Sequence, residues 1–150
     1  MHDLSRRRAV RLVVLAAAFP MSASMLSVAA DTVPLAIRGY DPVAYFTLGA
    51  PARGLPQFEY EWDEQRYRFS RPEHRELFKA DPARYAPQFA NRCAMALTRG
   101  EIHEPDPAYW LISEGKLYLF GNRSGPELFK RDIARNVAKA REKHAQIPRP

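Results

Sequence analysis

Two sulfur-bearing side chains near the middle of the chain are its most distinctive candidates for chemistry. Cys93 is the only cysteine in 150 residues, and Met95 follows it by two positions. In an extended segment this spacing would place the thiol and the thioether on one face, where such soft ligands favour Cu(I). In a helix the two side chains would diverge. The alternative is that both fill a core between Phe89 and Leu97, because unpaired cysteine is commonly buried.

Histidines form the second group of candidates. His74 falls in a predicted helix, and neutral imidazole is a common ligand for copper or zinc, although a single histidine on a helix is commonly structural. His103 precedes Glu104 and Asp106 in a predicted loop. One imidazole and two carboxylates could hold a hard or borderline ion there. The spacing matches no recognised metal motif, so a solvated loop is the simpler interpretation.

The sequence gives little support for catalysis. Cys93 with His74 or His103 could provide a nucleophile and a base, but no local motif of a thiol enzyme surrounds the cysteine. Glycine-rich phosphate loops, paired zinc cysteines and nucleophile elbows are also absent from the sequence. We therefore predict a binding protein and not an enzyme.

Alternating aromatic residues predict a β-hairpin ahead of these candidates. The turn Asp63-Glu64-Gln65 separates two runs of period two, whose aromatic members should share the buried face: Phe58, Tyr60, Trp62, Tyr67 and Phe69. Ser70 stands three residues before Glu73, a capping box that predicts a helix start, and Asp81-Pro82 should end that helix.

A second hairpin and a long helix are predicted after the sulfur pair. Residues 109–112 and 116–120 flank a turn with Gly115, and Ser124 stands three residues before Glu127 in another capping box. Helical spacing of apolar residues then runs from Phe129 to His144. The predicted fold class is α+β: a small antiparallel sheet of two hairpins, with short helices and a long C-terminal helix packed on it.

Residues 1–30 are predicted to be an export signal. Arginines at positions 6, 7, 8 and 11 precede an apolar run, and Val28-Ala29-Ala30 offers small residues for cleavage before Asp31. The arginine pattern resembles a twin-arginine signal, with ordinary Sec export as the competitor and an uncleaved anchor as a further alternative. We expect a periplasmic mature chain of residues 31–150, which contacts a membrane only through the signal.

Charge and cysteine content limit the classes of function. Without the signal, the formal net charge of +6 falls to about +3, and no stripe of basic residues with interleaved aromatics points to nucleic acid. A single cysteine excludes an internal disulfide, so the core alone must stabilise an exported domain.

Two segments carry a resemblance to a known family. Residues 66–87, RYRFSRPEHRELFKADPARYAP, resemble the core of the YHS domain, and GYDPVAYF at residues 39–46 resembles its Asp-Pro-Val opening. The resemblance implies a small module found alone or attached to metal-handling proteins. Metal-linked members usually carry three cysteines where this chain has Ala44, Ser70 and His74. Exported members commonly have a cysteine followed by alanine after the Tyr-Ala-Pro motif, as Cys93-Ala94 does here.

The resemblance implies an exported, non-catalytic YHS-like binding module whose partner is a metal ion or another protein. Because Cys93 is the only thiol left, a bound metal should be copper in the reduced state, with Cys93 as the ligand and Met95 or His74 in support. A ligand-free structural or protein-interaction domain is the alternative, and a thiol-dependent enzyme is the least favoured.

Overall fold

The strands pair as two separate antiparallel hairpins, with the helices distributed around them. The computed structural model describes residues 33–148, which belong to one compact unit; the predicted export signal lies outside the described residues. The helical elements alternate with the hairpins along the chain. They are a 3₁₀ segment Ala36–Gly39, α1 Ala44–Thr47, β1 Leu55–Trp62, β2 Gln65–Phe69, α2 Pro72–Ala80, α3 Pro82–Tyr85, α4 Ala94–Leu97, β3 Asp106–Ser113, β4 Lys116–Phe120, α5 Gly125–Lys130 and α6 Ile133–Ala145. The predicted α+β class is confirmed.

The first hairpin forms as its alternating pattern predicts. Tyr60 lies opposite Tyr67 and Trp62 opposite Gln65, with an irregularity near the start of β1. The five predicted aromatic residues all belong to one core cluster or pack against it. Trp62 itself is only half-buried, because its ring packs on one side against Phe78 of α2, with ring centroids 6.1 Å apart.

The second hairpin also matches its prediction. Leu111 pairs with Tyr118, and Glu114 and Gly115 both take the positive φ angles that a two-residue turn requires. The two hairpins do not join into one sheet. Each hairpin instead forms an isolated β-bridge with a neighbouring segment: Leu35 pairs with Arg66 of β2, and Pro87 pairs with Leu117 of β4.

Two predicted capping boxes do not form, so those predictions were wrong. α2 begins at Pro72, and its N-cap residue is Arg71, which makes no side-chain cap. Ser70 therefore lies one residue too early to cap the helix, and its hydroxyl donates to Asp41 Oδ2 at 2.7 Å. At α5 the Ser124 side chain makes no cap. The carboxamide of Asn122 binds the backbone at this helix start, since its Oδ1 accepts the N–H groups of Ser124 and Gly125, each at 3.1 Å.

The predicted C-terminal helix is divided into α5 and α6. Asp132 takes a non-helical backbone conformation and its side chain accepts the N–H of Arg135 at 3.1 Å, so a new helix starts at Ile133. Within residues 33–148, no helix is long and apolar enough to cross a membrane.

Two core clusters stabilise the unit. The larger one packs the first hairpin, α2 and part of β4 around Tyr67, Phe69 and Phe78. The smaller one packs α4, β4 and α5 around Phe120 and Phe129, with Cys93 at its margin. The two residues with the clearest chemistry, Cys93 and His74, therefore occupy different parts of the fold.

Candidate functional site

Cys93 lies immediately before α4, against the loop that follows β4. The residue is 6% exposed, and its backbone N–H donates to the carbonyl oxygen of His103 at 2.9 Å. The backbone N–H of Gly121 donates to the Cys93 Sγ at 3.2 Å. The thiolate is the form of cysteine that binds metals.

A cavity of about 180 Å³ opens beside this sulfur, and Met95 and His103 line it together with Cys93. Met95 belongs to α4, so the helical alternative for the sulfur pair holds. Met95 and Cys93 still line the same cavity. Cys93 is the N-cap residue, whose backbone is extended, so the divergence expected for two helical residues does not apply to this pair. Cys93 and Met95 also contact the smaller core cluster, so both serve packing as well.

Arginine and glutamate side chains form the polar rim of this cavity. Arg99 pairs with Glu101 at 2.8 Å, and this hydrogen bond lowers the pKa of the Glu101 carboxyl. His103 Nε2 lies 3.6 Å from the same carboxylate, and the His103 side chain is 60% exposed. The imidazole of His103 therefore lines the cavity while remaining largely exposed.

His74 is not among the residues that line this cavity. It is 4% exposed, its Nδ1 lies 2.6 Å from Asp41 Oδ2, and its Nε2 lies 3.1 Å from the Thr47 hydroxyl. Both ring nitrogens are thus engaged by protein groups, and no lone pair is left for a metal. The structure brings Cys93 and Met95 together but places the third predicted ligand elsewhere.

Asp41 is the group that the sequence analysis missed as a partner of His74. Its Oδ1 accepts the backbone N–H groups of Val43 and Ala44, at the start of α1, at 2.9 and 3.3 Å. Its Oδ2 accepts the N–H and hydroxyl of Ser70 at 2.8 and 2.7 Å as well as the contact with His74. Asp41 is fully buried, so five donors compensate one carboxylate.

These partners fix the position of the His74 ring. Nδ1 faces a carboxylate and therefore carries a hydrogen, which it donates to Asp41 Oδ2. Nε2 lies 3.1 Å from the Thr47 hydroxyl, and that hydroxyl also lies 3.1 Å from the carbonyl oxygen of Val43. The buried carboxylate of Asp41 is thus hydrogen-bonded directly to the imidazole.

The carboxylates next to His103 are directed away from a cation site. Glu104 pairs with Arg38 at 3.0 Å, and Asp106 lies 4.0 Å from the same guanidinium. Among the described residues, no group of three or more His, Cys, Asp and Glu side chains could hold a metal ion. A hard-ion site at His103, Glu104 and Asp106 therefore has no support in this part of the chain.

Comparisons with known proteins return no relative. No protein-family model matches the chain, and no curated protein or solved structure matches it.

Proposed function

We propose that the chain is an exported, YHS-like binding module that holds Cu(I) in the cavity beside Cys93. The observation that carries the proposal is the convergence of a thiol and a thioether, Cys93 and Met95, on one small cavity. Thiolate and thioether ligands select Cu(I) over harder ions. His103 at the cavity mouth supplies an imidazole, and it replaces His74 in the predicted ligand set.

The size and charge of the cavity favour a metal ion over an organic ligand. Its volume of about 180 Å³ is below the roughly 300 to 1,000 Å³ of small-molecule sites. The carboxylate of Glu104 on its rim is paired with Arg38, so oxygen ligands for Mg²⁺ or Ca²⁺ are few. The role of the module is to bind copper and pass it on, with no catalytic step of its own.

A competition titration with a Cu(I) chelator under anaerobic conditions tests the proposal. Cys93→Ser and Met95→Leu remove the two sulfur ligands, and His103→Gln removes the imidazole. Loss of a direct ligand should weaken binding by more than the roughly 10- to 100-fold that loss of an outer partner costs. His144→Gln is the matched control, since this histidine is not among the residues that line the cavity.

Two outcomes would contradict the proposal. Equal affinity in the wild type and Cys93→Ser, or tighter binding of Mg²⁺ or Ca²⁺, would exclude a soft site at Cys93. If no metal binds at all, a ligand-free interaction domain becomes the better account. The export part of the proposal is tested separately by N-terminal sequencing of the secreted protein, which should begin near Asp31; an intact Met1 would contradict it.

A further inference from the structure

A second, larger cavity lies between the two hairpins. It measures about 550 Å³, and its lining includes Trp62 and Tyr67 of the first hairpin, Lys116 of the second, and the intervening residues Arg84 and Phe89. It shares no lining residue with the cavity beside Cys93. Its volume falls within the range of small-molecule sites.

The most informative wall residue is Tyr67. Its side chain is 2% exposed and packs against Phe78, with ring centroids 4.7 Å apart. The hydroxyl nevertheless makes no hydrogen bond within residues 33–148, whereas that of Tyr45 donates to the carbonyl of Pro107 at 2.9 Å. The Tyr67 oxygen is not fully buried, so the hydroxyl is open to the cavity that Tyr67 lines. Burial, followed by the nearby Asp63 carboxylate, raises the pKa of Tyr67, so this group stays a donor.

A neighbouring side chain, that of Gln65, has a buried acceptor without a hydrogen-bond partner among the described residues. Gln65 lines the same cavity, and its Nε2 donates to the carbonyl of Ala90 at 3.1 Å. Its Oε1 is buried and accepts no hydrogen bond from the described residues. The wall thus holds a hydroxyl donor that no described residue engages. The buried Gln65 oxygen, which also lacks a partner among the described residues, costs free energy while it remains so.

The charges around the cavity are of both signs. Asp63 and Asp81 contribute carboxylates, and Arg84 and Lys116 contribute cations. Within the described residues, Lys116 and Asp63 form no ion pair with each other or with another side chain, and the Arg84 guanidinium lies over the Tyr85 ring at 5.3 Å. Separate positive and negative groups around an aromatic wall suit a ligand that carries both charges.

We infer that this cavity binds a small zwitterion, a free amino acid or dipeptide with an apolar side chain. Its carboxylate accepts from the Tyr67 hydroxyl and pairs with Arg84 and Lys116. Its ammonium group faces the carboxylates of Asp63 and Asp81. Its apolar side chain packs on the ring of Trp62.

Isothermal titration of the purified protein with leucine, phenylalanine and leucyl-phenylalanine tests this inference. N-acetyl-leucine lacks the ammonium charge and leucinamide lacks the carboxylate, so each should bind at least about tenfold more weakly than leucine, which corresponds to about one charge-assisted hydrogen bond. Equal binding of leucine and N-acetyl-leucine, or no binding of any of the three ligands, would overturn the inference.

Two substitutions separate the site from the fold. Tyr67→Phe removes only the hydroxyl, and it should weaken leucine binding by roughly five- to tenfold while the thermal midpoint stays unchanged or rises. Lys116→Gln should weaken it similarly, whereas Lys139→Gln on exposed α6 is the matched control and should leave it unchanged. Unaltered affinity in both Tyr67→Phe and Lys116→Gln would contradict the site. Because no cavity residue is shared with Cys93, copper binding can fail while this inference stands.

Discussion

Replacement of Asp41 by asparagine, which exchanges one carboxylate oxygen for an NH₂ group, should destabilise the protein. The carboxylate is fully buried and compensated by five donors, three of them on Oδ2. Asparagine would keep an acceptor for Val43 and Ala44, but its NH₂ group would face the N–H of Ser70. It would also replace the carboxylate oxygen that accepts from His74 Nδ1.

The expected cost follows from this geometry. A hydrogen bond to a charged group contributes about 1.5 to 3 kcal/mol. We expect about 3 kcal/mol for Asp41→Asn, because the hydrogen bonds from Ser70 and His74 to Oδ2 are lost while those to Oδ1 remain. In a domain of this size each kcal/mol lowers the Tm by roughly 4 °C, so the thermal midpoint should fall by about 12 °C.

Urea denaturation and calorimetry measure this cost directly. Asp132→Asn is the matched control, because Asp132 is an exposed helix cap that accepts a single N–H from Arg135, and it should cost no more than about 1 kcal/mol. If Asp41→Asn cost as little as the control, the hydrogen bonds to the buried carboxylate would not stabilise the fold and this reasoning would be refuted.

Three further predictions follow from the same contacts. Ser70→Ala should cost about 1.5 to 3 kcal/mol, the range for a hydrogen bond to a charged group, and a loss near zero in urea denaturation would contradict the bond to Asp41. Trp62→Ala should cost about half of the roughly 3 to 5 kcal/mol of a fully buried aromatic, because the ring is half-buried; an unchanged urea midpoint would contradict its packing. Stability should fall above about pH 10, because burial raises the pKa values of Tyr45 and Tyr67 and the unfolded chain then releases protons that the folded chain retains. Thermal midpoints between pH 8 and 11 measure this fall, which Tyr67→Phe should reduce, and a flat profile would contradict it.

The hairpins could be predicted from the sequence because their information is local. Alternating aromatics in β1 and β2 and the Gly115 turn specify each hairpin within a few residues. The capping boxes are also local patterns, yet they failed. The Ser70 hydroxyl donates to Asp41, 29 positions earlier in the chain, and hydrogen bonds to a carboxylate are stronger than those between neutral groups. A local sequence pattern contains no information about such a distant partner.

The candidate site was predictable only in part. The single thiol and the thioether two residues later were visible in the sequence, but the cavity that they share is also lined by His103 and Gly121, which are distant in sequence. His74 could not be placed from its position on α2, since a helix reveals which residues share a face but not which distant carboxylate meets that face. Asp41 gives no such signal in the sequence either, since only the structure shows that its Oδ1 binds the backbone at the start of α1 while its Oδ2 binds His74.

The central claim is that Cys93 forms a soft-metal site, and elemental analysis of the protein purified from its export compartment tests it most directly. The account predicts copper near one equivalent per chain and its loss in Cys93→Ser, with the fold retained by circular dichroism. Protein without copper, or with the same copper content in Cys93→Ser, would contradict it.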